Sequence, residues 1–204
     1  RKGLVILVNF QDVKMQSAHD NAEWNDFFNK TGYNTLGNSG SVHDYFYSQS
    51  YGKFDLSFDV VGPVTVSKNM ADYGGNDDSG NDKDPGGMVY EACRLVADKV
   101  NFADYDWDGD GEVDQVFVIY AGYGEASRPA LLPNTIWPHE WTLKAAGYSL
   151  TLNKVKINPY GCTAELNDYG SKNMAGIGTA CHEFSHCLGL PDIYDTSGGD
   201  CFGM

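Results

Sequence analysis

Residues 181–192 read Cys-His-Glu-Phe-Ser-His-Cys-Leu-Gly-Leu-Pro-Asp, and within them His182, Glu183 and His186 form an H-E-x-x-H pattern. A helix advances about 100° per residue, so side chains four apart sit about 40° apart around the axis and one turn along it. That spacing puts both imidazoles on one face, where their nitrogens can share one tetrahedral zinc ion. Glu183 borders that face. A carboxylate there can hold a metal-bound water, take its proton as it attacks a polarised carbonyl, and pass the proton to the leaving amine. Gly189 suits the left-handed conformation that ends a helix, and Pro191 prevents the helix from resuming. The expected turn would swing Asp192 back as a third, oxygen ligand and leave the fourth position open for water. Asp195 is the fallback ligand, and Tyr194 could orient a substrate.

A second constellation lies in Asp106-Trp-Asp108-Gly-Asp110-Gly-Glu112-Val-Asp114. Its carboxylates fall at the first, third, fifth and ninth positions of a calcium loop, with Gly111 at the sharp turn and the backbone carbonyl of Glu112 as a further ligand. Phe117 stands where an EF hand needs a bidentate Glu, and a strand pattern follows instead of a helix, so the match is partial. Asp104 could join the site. Calcium here would be structural, and fits an extracellular setting. His139, flanked by Trp137 and Trp141, reads as a packing group, as do His19 and His43.

These groups need elements to hold them. Gly3–Phe10 is an apolar, branched run that predicts a strand buried on both faces. Residues 21–30 and 41–50 carry aromatic residues at helical spacing, the second behind a Ser cap. Phe54–Val66 predicts two strands broken by a turn at Gly62-Pro63. Residues 70–87 have loop composition. Met88, Val89, Ala92, Leu95, Val96 and Val100 mark one apolar helical face. Val113–Tyr120 predicts another buried strand, and Tyr148–Ile157 a strand or hairpin arm. Met174, Ile177, Phe184 and Leu188 give a helical apolar pattern around the H-E-x-x-H segment. Strands and helices are intermixed without strict alternation, which is α+β.

The 204 residues suit one domain, and their formal charge of −14 would repel nucleic acid or an anionic membrane. No run of 18 apolar residues marks a membrane span. The five cysteines, at positions 93, 162, 181, 187 and 201, form no CxxC pair. An oxidising compartment would allow up to two disulfides, with pairing open except that Cys181 and Cys187 stand too far apart along one helix.

The segment HEFSHCLGLPDIYD resembles the H-E-x-x-H-x-x-G-x-x-D pattern of the immune inhibitor A type metallopeptidases, family M6. GLVILVNFQD, SVHDYFYSQSYGKFDL, DYDWDGDGEVDQVFVIYAGYGE and IWPHE are similar to segments of that family in its order. The resemblance implies a metzincin-like zincin fold, a mixed twisted sheet with backing helices and an active-site helix. It also implies secretion and cleavage of protein substrates by a zinc-bound water. Metzincins usually use His as third ligand; in this family Asp takes its place, here Asp192. Met204 would be the methionine of a Met turn. Residues 1–204 then read as a catalytic domain whose natural chain continues past both ends, with an inhibitory prosegment as a candidate partner. The rival reading is a calcium-stabilised binding module with a non-catalytic zinc site, closed by Cys201 as fourth ligand.

Overall fold

The computed structural model describes residues 1–192. In chain order its elements are β1 (Lys2–Asn9), α1 (Asn21–Asn29), α2 (Val42–Gln49), β2 (Ser57–Thr65), α3 (Met70–Gly74), α4 (Pro85–Leu95), β3 (Glu112–Val113), β4 (Val116–Tyr123), β5 (His139–Thr142), β6 (Leu150–Leu152), β7 (Val155–Ile157), β8 (Pro159–Leu166) and α5 (Ile177–Cys187). A five-stranded sheet runs β2-β1-β4-β8-β5, and a small one runs β3-β7-β6. The first four strands of the large sheet are mutually parallel, and β5 pairs antiparallel with β8 at its edge. This is a mixed sheet in an α+β chain.

The central strands are covered on both faces, as their unbroken apolar runs require. Leu4, Ile6 and Val8 of β1 and Val116, Val118 and Tyr120 of β4 point into one core, under α4. Val5, Leu7, Phe117 and Ile119 point into the other, which α1, α2 and α5 close with Trp24, Phe27, Phe46 and Phe184. The expected Ser41 cap forms, in a reciprocal box with Asp44 at the start of α2, and the structure adds Asp20 as the cap of α1.

Two expectations are corrected. Phe54–Val66 holds one strand, β2, not two, because its ladder on β1 carries on past Gly62-Pro63 with a register shift between Ile6 and Val8. Gly62 has φ +103 and lies so near β1 that a Cβ would meet the Leu7 carbonyl oxygen at 2.6 Å, so the bend is absorbed within the strand. Within residues 70–87, α3 forms behind an Asn69–Asp72 capping box, and α4 begins at Pro85, capped by Asp84.

The acidic core residue Glu165 of β8 is fully buried and serves as a tether. One carboxylate oxygen accepts from Gln16 N–H and from His19 Nδ1 at 2.6 Å, and the other accepts from Gly122 N–H. It pins the segment after β1 against the sheet. Cys93, Cys162, Cys181 and Cys187 are free thiols.

Candidate metal centre and active site

Helix α5 carries His182, Glu183 and His186, and its position is set by Phe184. That ring is 1% exposed and packs at centroid distances of 5.2, 5.4 and 6.1 Å on Phe46, Phe58 and Phe117. With Phe184 turned inward, His182 and His186, two residues to either side, face outward, as the period of 3.6 dictates.

The helix stops where glycine permits it. Gly189 has φ +83, Gly189 N–H donates to His186 O at 2.8 Å, and Leu190 N–H donates to Ser185 O at 3.1 Å. These are the two bonds of a Schellman ending. The reversal returns the chain over the last turn of α5, so that Asp192 Oδ1 stands 3.4 Å from His182 Nε2 and 3.2 Å from His186 Nε2. The two Nε2 atoms are 3.2 Å apart. Ligand atoms on a tetrahedron about zinc, bound at about 2.0–2.1 Å, stand about 3.3 Å from one another. The three atoms fit that spacing. His186 Nδ1 donates to the Leu190 carbonyl at 2.7 Å, which leaves Nε2 with its lone pair directed at the shared point and supplies the outer bond that usually fixes a ligating histidine.

Glu183 lies around the helix from the pair and is 7% exposed. It faces a cavity of about 290 Å³ against the sheet, with Pro138, Thr163 and Thr179 among its walls. Burial pushes its carboxyl up to about 7, against the pull of His186 and His139; Asp192 and Glu140 push it further up. A bound dication would draw it back down. The histidine pair and Asp192 line a separate, more apolar cavity of about 490 Å³ with Tyr45, Ile177 and Leu190.

In the acidic loop, Asp106, Asp108 and Asp110 bring carboxylate oxygens within 4.8 Å of one another. The turn that gathers them is built from their own bonds: Asp106 accepts from Gly109 and Gly111 N–H, Asp108 from Asp110 N–H, and Asp110 from Glu112 N–H. Asp114 accepts from Trp107 N–H. Burial raises its pKa, with the three other aspartates adding to the rise. The Glu112 carboxylate turns away to Lys156 and Asn158, leaving only its backbone for the role foreseen. Asp104 accepts from Asn101 and stands outside the group of three. Tyr194, Asp195, Cys201 and Met204 lie outside the described residues.

The sequence reading missed the wall opposite α5. Strand β5 is the open edge of the large sheet, with β8 as its one neighbour among the described residues. Pro138 reaches the cavity of Glu183, and Glu140 acts on the Glu183 carboxyl. The signal available was the two-residue spacing of Trp137, His139 and Trp141, which is too short to separate from loop.

Residues 1–202 match the domain described as immune inhibitor A peptidase M6, catalytic domain. Immune inhibitor A of Bacillus thuringiensis subsp. alesti is 29% identical over a stretch covering 96% of this chain and 33% of that protein. The pre-pro-metalloprotease PrtV of Vibrio cholerae serotype O1 is 32% identical over 76% of this chain and 19% of that protein. The chain thus spans about a third and a fifth of the lengths of these two relatives. Matched from its first residue almost to its last, the chain belongs to the immune inhibitor A peptidase M6 family, in the part that forms the catalytic domain.

Proposed function

We propose that this domain is a zinc-dependent endopeptidase, with His182, His186 and Asp192 as metal ligands and Glu183 as general base. The observation that carries this reading is the convergence of three donor atoms at mutual distances of 3.2–3.4 Å beside a buried carboxylate on the same helix. Zinc, when bound, supplies a Lewis acid that polarises the scissile carbonyl and acidifies water at the open position. Glu183 takes the proton of the attacking water and returns it to the leaving amine. Burial on the same helix favours proton uptake by Glu183, and a bound dication, by opposing that rise, would help it release the proton again. An extended substrate would add to the free edge of β5 by main-chain pairing, and so lie across α5.

We read the overall architecture as metzincin-like, with the α5 ending carrying Asp in the third ligand place. Residues 106–114 would hold a structural calcium, with Asp106, Asp108 and Asp110 at its centre. Secretion fits the acidic composition, and a prosegment as latent inhibitor fits a relative named as a pre-pro-metalloprotease. The binding-module alternative needs a fourth protein ligand, and the metal-binding group holds three members among the described residues.

The test is hydrolysis of a generic denatured protein by the wild type and Glu183→Gln, with zinc content measured on both. Loss of turnover at unchanged zinc supports the assignment. Near wild-type turnover in Glu183→Gln would refute the base, and absence of zinc from both proteins would refute the centre.

A further inference from the structure

On the face of β5 away from Glu183 lies a further cavity of about 560 Å³. Residues two apart on a strand share a face, and His139 and Trp141 of β5 line it, together with Asp82, Glu125 and Trp137, which precedes the strand. His139 pairs with Cys162, which faces the core under α4, and Glu140 pairs with Gly161, which abuts Phe117 and Cys187 on the side of α5, so the two chambers sit on either side of one edge strand and meet at Trp137. A polypeptide paired to β5 would send alternate side chains to the two sides.

We propose that this cavity selects an arginine or lysine side chain of the polypeptide substrate, which rests on the peptidase reading above. Its aromatic walls are open to a guest: Trp137 and Trp141 are 48% and 53% exposed. Indole faces suit the aliphatic stem and cationic head of a basic side chain. Its charge is negative and under-compensated. Glu125 is 6% exposed, and its bonded neighbour is the neutral amide of Asn76. Asp82 accepts from Trp137 N–H through one oxygen, while the other, enclosed by protein, meets no donor. Burial pushes the Asp82 carboxyl up to about 6, with Glu125 adding to the rise and His139 opposing it. Both ring nitrogens of His139 are already engaged, since Nδ1 donates to Trp137 O and Nε2 stands 3.1 Å from the Tyr160 hydroxyl. Lys83 stands exposed at the rim and makes no ion pair among the described residues. A guanidinium or ammonium brought between the tryptophans would supply the missing positive charge.

Two peptides identical except for Arg or its neutral isostere citrulline, with that residue moved through the positions flanking a cleaved bond, test the assignment. Binding is read by calorimetry on the full 204-residue chain carrying Glu183→Gln, and cleavage on the zinc-loaded wild type. The expected result is a preference of about tenfold or more for Arg at one position. That preference should be lost in Asp82→Asn/Glu125→Gln and weakened in the surface variant Trp141→Ala. Equal binding and cleavage of the two peptides, binding of neither, or a preference that survives Asp82→Asn/Glu125→Gln would overturn the pocket while leaving hydrolysis to stand. Preferential Arg binding, lost in the double variant but with no cleavage by zinc-loaded wild type, would support the pocket and refute the peptidase reading.

Discussion

Phe184→Ala tests how the metal centre is positioned. The ring is nearly fully buried and wedged among Phe46, Phe58 and Phe117, so its removal leaves a hole under the middle of α5. Truncating a buried Phe to Ala destabilises by about 3–5 kcal/mol, the transfer and cavity contributions together. In a domain of this size each kcal/mol lowers the midpoint by about 2–4 °C, so the expected fall is about 6–20 °C. The same ring separates His182 from His186 along the helix, and the three ligand atoms tolerate little spread from their 3.2–3.4 Å spacing. Zinc affinity should therefore weaken by about tenfold or more, the range seen when groups that orient ligands are lost. Thermal melts of the chelated protein give the first number, and competition against a chromogenic chelator at a temperature where the variant is folded gives the second. A midpoint within about 3 °C of wild type would refute the packing argument. A large fall with zinc affinity unchanged would show that α5 is anchored elsewhere.

Gly189→Ala should cost about 1–2 kcal/mol, because φ +83 strains any residue with a Cβ although open space surrounds the position; a melt checks it, and zinc affinity should fall in step because Asp192 hangs on that turn. Glu165→Ala should destabilise by about 3–5 kcal/mol by stranding His19 and two backbone N–H groups, while Glu165→Gln, which keeps an acceptor, should cost visibly less in denaturant titration. Added calcium should raise the midpoint steadily with the logarithm of its concentration, by about 2.7 kcal/mol of stability at a hundredfold excess over Kd, and Asp106→Asn should abolish the rise; a calcium-independent melt would remove the ion from the acidic loop.

What was legible in the sequence was local. The spacing of His182 and His186, the stop at Gly189, the Ser41 cap and the two-faced apolar runs of β1 and β4 depend on residues within a turn or two of one another. Strand β8 was not seen, although it lies between β4 and β5. Its sequence, Pro159 to Leu166, mixes Gly, Cys, Thr, Ala and Glu, and looks apolar only once Glu165 is paired with a histidine 146 residues away. β5 was missed for a like reason: four half-polar residues become a strand only through pairing His139 with Cys162. The break foreseen at Gly62-Pro63 failed because the neighbouring strand β1 holds β2 together across it.

That division has a functional consequence. The proposed ligands of the metal centre come from one stretch of chain, and their spacing depends on α5, its terminal turn and the aromatic residues beneath it. The walls that would meet a substrate come from Asp82, Glu125 and β5, which are distant in sequence and reach the site only through the sheet. Changes at Phe184 or Gly189 should therefore move zinc affinity and stability together. Changes at Asp82, Glu125 or Trp141 should move peptide recognition and leave zinc affinity alone, because no metal ligand rests on them. If Trp141→Ala lowered zinc affinity as much as Gly189→Ala does, the two halves of the cleft would be one mechanical unit and this separation would be wrong.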